Sequence, residues 1–373
     1  MTRRYHTIVA GLGAMGSATL HHLAARGARV AGFDQFSPPH SLGSSHGETR
    51  MIREAYYEDP RYVPLVRRAY VLWHELSARA GAPVITETGG VFAGPPQGEF
   101  IAGIHRAARE HGIAVDGLTR AEASRRFPWL QLDPAMEIVT EPRAGFLFPE
   151  RCVASHLALA GQGEAEIHTG EPVTAWRAAG DGVEVETPRG RYLAGRLVLC
   201  TGAWLTGTLA AMGIAATIER QPLFWFSPRA GRPAPATVWA VEFESGRLLY
   251  GFPPDDHGLK VAIHYGGTVA TVDDIDRAVH MEDSRHLRAH ADRHMPGLLG
   301  EVSRAEVCMY TNTPDLHFLF DTHPAHANVL VVSACSGHGF KFSSAIGEAA
   351  AQWALDGSPR QDMSLFALTR FKT

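Results

Sequence analysis

Ile8-Val9-Ala10-Gly11-Leu12-Gly13-Ala14-Met15-Gly16 is the stretch of sequence that decides the fold. A short apolar strand ends there in a G-x-G-x-x-G turn, and the Ala- and Leu-rich residues 17–26 predict a helix, with Gly27 as its left-handed cap. Residues 29–33 predict a second strand, which ends at Asp34. This order of elements predicts a parallel sheet covered by helices.

The glycine turn predicts a dinucleotide site. Its first glycine permits a tight turn, its second lets the backbone approach a pyrophosphate, and its third lets the helix pack closely on the strand. The helix N-terminus presents free N–H groups to phosphate, and the acid after the second strand accepts hydrogen bonds from a ribose and disfavours NADP. The predicted cofactor contacts here are Gly11, Gly13, Ala14, Met15, Gly16 and Asp34. The motif alone leaves NAD and FAD open.

Composition excludes several classes of protein. A chain of 373 residues indicates two domains, and 45% hydrophobic with 20% charged residues is typical of a soluble globular protein. A formal net charge of −4 gives no electrostatic case for nucleic-acid binding. No apolar run reaches the ~18 residues that a transmembrane helix needs, so we expect no membrane partner.

The cysteines indicate a reducing compartment. Cys152, Cys200, Cys308 and Cys335 are far apart and form no C-x-x-C pair, which argues against a disulfide framework. The basic start Thr2-Arg3-Arg4 before an apolar stretch has the order of an export signal. That stretch is short and runs into the glycine turn, so we interpret the chain as cytoplasmic.

Strand and helix patterns along the chain predict two interleaved domains. The parallel pattern returns at residues 196–200 and 328–333, and a helix is predicted from Phe340 to Leu355. Residues 84–143 are mixed and less regular, whereas residues 219–264 alternate as in an antiparallel sheet. We predict an α/β, Rossmann-like cofactor domain over 1–83, 143–217 and 307–373. An α+β substrate domain with an antiparallel sheet is predicted over 84–142 and 218–306.

Three further motifs carry a resemblance to a known family. They are residues 43–56, which read Gly-Ser-Ser-His-Gly-Glu-Thr-Arg-Met-Ile-Arg-Glu-Ala-Tyr, residues 308–311, Cys-Met-Tyr-Thr, and residues 336–342, Ser-Gly-His-Gly-Phe-Lys-Phe. Together they resemble the monomeric sarcosine oxidase and N-methyltryptophan oxidase family, within the D-amino-acid-oxidase-like FAD enzymes, over essentially the whole chain. The resemblance implies FAD rather than NAD, flavin amine oxidation and a monomer.

The resemblance assigns roles around the flavin. Cys308 matches the cysteine that binds the flavin 8α-methyl group covalently, although most free cysteines are small buried hydrophobes. Thr49 and Arg50 match residues against the flavin, and Lys260 matches the lysine that promotes reaction with oxygen near N5. Further cofactor contacts are expected at Ser44, Ser45, His46, Val173, Gly202, Trp204, Gly337, Gly339, Phe340 and Lys341.

The resemblance also assigns a substrate pocket. Arg53 and Lys341 match the clamp for the substrate carboxylate, which a guanidinium binds bidentately. Lys341 is expected at the start of the last helix. His264 matches a pocket histidine, and aromatic rings suit an N-methylammonium group. The remaining substrate contacts are expected at Tyr56, Tyr250, Tyr310 and Gly337.

The sequence departs from the family pattern in places. The family has two histidines where Ser45-His46 stands, Asp at Glu48, and often His at Glu54. These departures leave the identity of the amine open. His286, His290 and His294 share one helical face, but no zinc motif accompanies them, so we interpret a solvated helix face and predict no metal.

The sequence therefore predicts an oxidase of a secondary amino acid. Hydride passes to the flavin, the imine is hydrolysed, and oxygen becomes hydrogen peroxide. The alternatives are oxidation of a cyclic imino acid or a glycated amino acid, and a dehydrogenase with another electron acceptor. A non-catalytic flavin-binding subunit is a further alternative, which the presence of Arg53, Lys260, His264 and Lys341 disfavours.

Overall fold

The computed structural model describes residues 4–371. Thr2 and Arg3, on which the export interpretation depended, lie outside the described residues. In chain order the described strands are β1 Arg4–Ala10, β2 Val30–Phe33, β3 Arg50–Ile52, β4 Ile85–Glu87, β5 Gly90–Gly94, β6 Asp116–Gly117, β7 Glu137–Glu141, β8 Gly145–Leu147, β9 Glu166–His168, β10 Ala175–Ala179, β11 Gly182–Thr187, β12 Gly190–Leu199, β13 Thr217–Pro228, β14 Val238–Glu244, β15 Arg247–Gly251, β16 Leu259–His264, β17 Thr268–Ala270, β18 Leu299–Asn312, β19 Leu319–His323 and β20 His326–Ser333. The described α-helices are α1 Ala14–Ala24, α2 Val63–Ala80, α3 Glu99–His111, α4 Arg120–Arg126, α5 Pro149–Gln162, α6 Thr206–Ala211, α7 Met281–His294 and α8 Ser343–Asp356.

The first sheet begins with the glycine-turn strand and is completed near the other end of the chain. Its order is β10-β11-β12-β1-β2-β9, with β20 also paired to β12 and β19 to β20. The strands β9, β2, β1, β12 and β20 run parallel, whereas β10, β11 and β19 are antiparallel additions. Helix α1 packs on α5 and α8, so the predicted layering of parallel strands and helices is confirmed.

The second sheet collects strands from two distant parts of the chain. Its order is β17-β13-β16-β15-β14-β5-β7-β6, and β18 also pairs with β13. The predicted antiparallel character holds for most pairs, but β14 runs parallel to β5. Strands β3, β8 and β4 form a small separate sheet that carries Arg50 at its start.

The sheets bear on the proposed division into domains, which stays a prediction. Strands β5 to β7, within 84–142, lie in the same sheet as β13 to β18. The proposed boundary at residue 307 falls inside β18, which pairs with β13 along nearly its whole length. Cys308 and Tyr310 therefore sit on a strand of the second sheet.

Some local predictions need correction. Lys341 does not lie on the last α-helix: residues Phe340–Phe342 form a 3₁₀ turn, and α8 begins at Ser343. Gly27 has a positive φ of 73°, but α1 ends at Ala24 and its cap is Ala25. His294 is buried, with its Nδ1 3.0 Å from the Gln131 carbonyl, so the histidine face of α7 is not wholly solvated.

Within residues 4–371 no group of three His, Cys, Asp or Glu side chains is placed to hold a metal ion. No helix of the described chain combines the length and the apolar character that crossing a membrane requires.

Candidate active site

A cavity of about 670 Å³ extends from the N-terminus of α1 to the buried cations predicted at the substrate end. This volume lies within the usual range of cofactor and ligand pockets. Most predicted site residues line it: Gly11, Gly13, Ala14, Met15, Asp34, Ser44, Ser45, Arg50, Arg53, Val173, Gly202, Trp204, Tyr250, His264, Cys308, Tyr310, Gly337, Gly339, Phe340 and Lys341. Five others lie outside its lining: Gly16, His46, Thr49, Tyr56 and Lys260.

The glycine turn at one end is shaped by close backbone contacts. Gly11 has φ 86°, and a Cβ there would lie 2.5 Å from the Cys200 carbonyl oxygen. A Cβ on Gly16 would lie 1.7 Å from the Gly11 oxygen. The N-terminus of α1 lines the cavity at Gly13, Ala14 and Met15, where the helix dipole favours phosphate.

Asp34 holds the turn as well as lining the cavity. Its carboxylate accepts hydrogen bonds from the Leu12 N–H at 2.7 Å and the Phe36 N–H at 2.8 Å. The Ser45 hydroxyl accepts a bond from the Ala14 N–H at 3.2 Å. The acid predicted to contact a ribose therefore also fixes the loop on both sides of the site.

Cys308 lies where Arg50 can stabilise its thiolate. Arg50 Nη2 is 3.3 Å from the sulfur, and the same guanidinium donates to the Thr49 and Ser44 carbonyls. Burial opposes ionisation, but the charge of Arg50 and a hydrogen bond from His46 lower the pKa of Cys308 to about 7. Burial keeps the pKa of Cys152, Cys200 and Cys335 above the ordinary value, which distinguishes Cys308 from the other thiols.

Lys260 is buried beside the cavity, between the rings of Trp225 and Phe252. Its ammonium donates to the Gly47 carbonyl at 2.6 Å and to the Thr49 carbonyl at 2.8 Å. Burial and the charge of Arg50 hold the pKa of Lys260 well below its usual value. The lysine thus lies against the loop that carries Thr49 and Arg50 rather than in the cavity wall.

Arg53 is paired with an acid that the sequence analysis missed. Its Nη2 lies 2.8 Å from Glu58 Oε2, and the guanidinium stacks over the Tyr56 and Tyr57 rings. Although burial opposes ionisation, the charge of Arg53 lowers the pKa of Glu58 to about 2. The signal available was the short spacing of Arg53 and Glu58 across two tyrosines, which placed an acid within reach of the clamp.

Lys341 faces the same end of the cavity. Its ammonium donates to the His338 carbonyl at 2.7 Å and lies over the Tyr56 ring. Burial and the charge of Arg53 lower the pKa of Lys341 to about 7. This end of the cavity therefore has two buried basic side chains, Arg53 and Lys341, and one carboxylate, Glu58, which gives it an excess of positive charge.

A polar and aromatic wall faces the cations. His264 Nδ1 is 3.1 Å from the Tyr310 hydroxyl, and burial lowers the pKa of His264 to about 3. Gly337 has φ 74°, and a Cβ there would lie 2.7 Å from the Tyr310 ring. Tyr56 is behind this wall, bonded through its hydroxyl to His338 Nδ1 at 2.6 Å.

These features fit the flavin dinucleotide that the resemblance implies. The glycine turn and the N-terminus of α1 suit a pyrophosphate, and glycine at Gly11 is required by a neighbouring carbonyl. At the other end of the same cavity, a stabilised thiolate and buried cations suit an electron-accepting ring and an anionic substrate. Fold and site thus define a dinucleotide-dependent oxidoreductase.

Comparison with known proteins identifies the family. The family model of FAD dependent oxidoreductases (DAO) matches residues 6–353. The chain is 44% identical to monomeric sarcosine oxidase of Streptomyces avermitilis over 98% of this chain and 97% of that protein. It is 34% identical to N-methyl-L-tryptophan oxidase of Yersinia pestis over 99% and 100%. The solved structure of NikD, an unusual amino acid oxidase essential for nikkomycin biosynthesis, shares the fold with a TM-score of 0.84, at 24% identity and covering 98% of each chain.

The chain belongs to the family of FAD-dependent oxidoreductases of the D-amino-acid-oxidase type. This confirms the family resemblance, the fold class and the prediction of an FAD-dependent enzyme. The roles of individual site residues stay predictions.

Proposed function

We propose that this chain oxidises a secondary amino acid, such as sarcosine or another N-methyl amino acid, and passes the electrons to oxygen. The observation that carries the proposal is the pair of buried cations, Arg53 and Lys341, at the end of the cavity opposite the glycine turn. The names of the relatives, monomeric sarcosine oxidase and N-methyl-L-tryptophan oxidase, support the same substrate class.

Arg53 and Lys341 bind and orient the substrate carboxylate. For Arg53 to do so bidentately, the Glu58 carboxylate must leave it or share it, since their 2.8 Å ion pair occupies part of the guanidinium. A second carboxylate arriving beside Glu58 is stabilised by the protonated Lys341. The clamp therefore exchanges an internal acid for the acid of the substrate.

His264 and the tyrosines position the amine. His264 is neutral at physiological pH and is oriented by the Tyr310 hydroxyl, so its ring can accept or donate one hydrogen bond without adding charge. Tyr250, Tyr310 and Gly337 line the same region. When bound, FAD supplies the acceptor for the hydride equivalent that leaves the carbon next to nitrogen.

We also propose a covalent link between FAD and Cys308, a monomeric chain and a cytoplasmic location. The lowered pKa of Cys308, brought about against burial by Arg50 and His46, supports the link because the thiolate is the nucleophile. The name of the relatives, monomeric sarcosine oxidase, supports the monomer. The scattered cysteines support the reducing compartment. The two-domain division proposed from sequence places the cofactor between the parallel sheet and the second sheet.

The test is a substrate screen on the purified protein. Sarcosine, N-methyltryptophan, pipecolate, proline and a glycated amino acid are each mixed with it, and both flavin bleaching without oxygen and peroxide release with oxygen are followed. Bleaching and peroxide with an N-methyl amino acid support the proposal. A response only to a cyclic or glycated amine would move the assignment to that class, and no bleaching with any amine would leave a non-catalytic flavoprotein.

A dehydrogenase with another electron acceptor is the second candidate, and the position of Lys260 favours it. Its ammonium is bonded to two carbonyls and does not line the cavity. Lys260→Met separates the two functions. In an oxidase, the variant slows reaction of the reduced enzyme with oxygen far more than reduction by the amine. Equal reoxidation rates in variant and parent would support the dehydrogenase.

A further inference from the structure

His46 connects Cys308 to a carboxylate that no motif indicated. His46 Nδ1 lies 2.9 Å from Glu306 Oε2, and the ring is buried. Its Nε2 is buried and makes no hydrogen bond among residues 4–371, and interaction with Cys308 raises the pKa of the imidazole. Because β18 carries both Glu306 and Cys308, their side chains project from the same strand at alternate positions.

We propose that Glu306 and His46 are positioning residues that hold Cys308 as a thiolate, ready to bond to the flavin. The inference rests on the proposed covalent link and assigns the residues that prepare it. The arrangement is that of a nucleophile, a base and an orienting acid, with Arg50 as a second cation on the sulfur. Glu306 fixes one nitrogen of the imidazole and leaves the other, the buried Nε2, available to Cys308.

The pKa shifts of Glu306, His46 and Cys308, which we call the triad, agree with this arrangement. Hydrogen bonds with His46 and with Arg304, which is also on β18, lower the pKa of Glu306 to about 2. Burial opposes the charging of His46, but Cys308 and Glu306 raise the pKa of His46 to about 9. Near neutral pH these shifts favour a carboxylate and an imidazolium beside a thiol that ionises readily.

Other titratable groups around the sulfur come from several elements. Arg50 lies on β3, Tyr250 on β15, Lys260 on β16, Tyr310 on β18, and Cys335 follows β20. Arg50 reinforces the thiolate, while the tyrosines and Cys335 are neutral because burial raises their pKa. Burial lowers the pKa of Lys260, so His46 and Arg50 are the cations in hydrogen-bonding reach of the sulfur.

The chemistry balances with oxygen as oxidant. The new bond joins the Cys308 sulfur to the 8α carbon, and one S–H and one C–H bond break. Two protons and two electrons leave in total, and dioxygen accepts them as hydrogen peroxide. The part of this chain is to remove the thiol proton before the bond forms, with His46 as the acceptor.

The test measures the ionisation of the Cys308 thiol in protein that holds no flavin. The full chain is prepared from riboflavin-starved cells, treated with iodoacetamide over a range of pH, and mapped by mass spectrometry for alkylated Cys308. In the parent protein, we expect the rate of Cys308 alkylation to reach half its high-pH value near pH 7, because only the thiolate reacts. Glu306→Gln and His46→Asn should raise the midpoint by about one unit, slowing alkylation roughly tenfold below it without changing the high-pH plateau.

Glu137→Gln is the matched control. Glu137, on β7, is bonded to His105 at 2.6 Å, and neither residue lines the cavity, so the substitution breaks a glutamate–histidine pair but leaves Cys308 and its partners unchanged. The midpoint of this variant should equal that of the parent. An unchanged midpoint in Glu306→Gln, or a parent midpoint at the ordinary thiol value, would overturn the inference.

A second readout separates this inference from the proposed function. FAD is added to each flavin-free protein, and the flavin that stays with the acid-precipitated chain is measured over time. Slower attachment in Glu306→Gln and His46→Asn, but not in Glu137→Gln, supports the inference. If alkylation shifts as expected and the parent chain never retains flavin, the covalent link fails while the thiolate assignment stands.

Discussion

The two ends of the cavity are built in different ways. At the glycine turn the surface is backbone: a carbonyl excludes any Cβ at Gly11, and the N-terminus of α1 lines the cavity. At the other end the surface is charged side chains, and Arg53, Lys341 and Cys308 come from three distant segments. The first end depends on shape within one segment. The second depends on the balance of buried charge between segments, so substitutions at the two ends should fail differently.

The largest effect is expected at the glycine turn. In Gly16→Ala the new Cβ would lie 1.7 Å from the Gly11 oxygen, which must shift the turn. We expect loss of bound flavin by more than ~100-fold, because backbone atoms line the pyrophosphate site. The flavin-to-protein absorbance ratio measures it. Gly161→Ala on α5 is the control, since nothing lies within 4 Å of its Cβ and its φ is not positive, and it should keep its flavin. Equal flavin loss in both variants would break the comparison.

Arg53→Met tests the charged end. Losing one partner of a buried ion pair typically costs about 3–5 kcal/mol, so Glu58 should destabilise the variant. We expect kcat/KM for the amine to fall roughly 10²- to 10³-fold while flavin is retained. The double variant Arg53→Met with Glu58→Gln should recover most of the melting temperature and none of the activity. Recovery of activity as well would mean that Glu58, not the clamp, limits the reaction.

The pH dependence of ligand binding sharpens the contrast further. Lys341 has a pKa of about 7, and a bound carboxylate raises it. The affinity for a simple carboxylate inhibitor is therefore full below pH 7 and weakens by up to about tenfold per pH unit above it. Titrations followed by the flavin spectrum between pH 6 and pH 9 measure this. Lys341→Arg should abolish the slope, and a flat profile in the parent protein would remove Lys341 from the clamp.

The smallest effect is expected at Tyr310. Tyr310→Phe removes the hydroxyl that orients His264 at 3.1 Å, a bond worth about 1 kcal/mol, so kcat/KM should fall roughly fivefold. Tyr62→Phe is a matched control, because its hydroxyl is bonded to His317 and Tyr62 does not line the cavity. Steady-state kinetics compare the two. A larger loss in the control would mean that the hydroxyl acts through stability alone.

The same contrast explains which features the sequence predicted. The sequence predicted the glycine turn, the first helix and Asp34, because the contacts of these features lie within one short segment. The parallel pairing of β14 with β5 was not, since strand partners far apart in the chain leave no local pattern. The position of Lys341 before α8 was also missed, because helix boundaries predicted from sequence do not distinguish a 3₁₀ turn from the first turn of an α-helix.

The charged end was predicted only through the resemblance. Arg53 and Lys341 were found in that way, but their internal partner Glu58 was not. Glu306 was likewise missed, since no motif distinguishes this single acid, two positions before Cys308, from other acids in strands. Burial and pairing decide the role of such acids, and neither is visible in one sequence.

The completion of the first sheet by β20 has a consequence for how the protein is made. During synthesis β1, β2 and the glycine turn leave the ribosome first, but β20 and α8, which pack on β12 and α1, come some 300 residues later. Phe340 and Lys341, at the other end of the cavity, are synthesised later still than Cys308. The cofactor therefore meets an assembled site only after translation has passed α8.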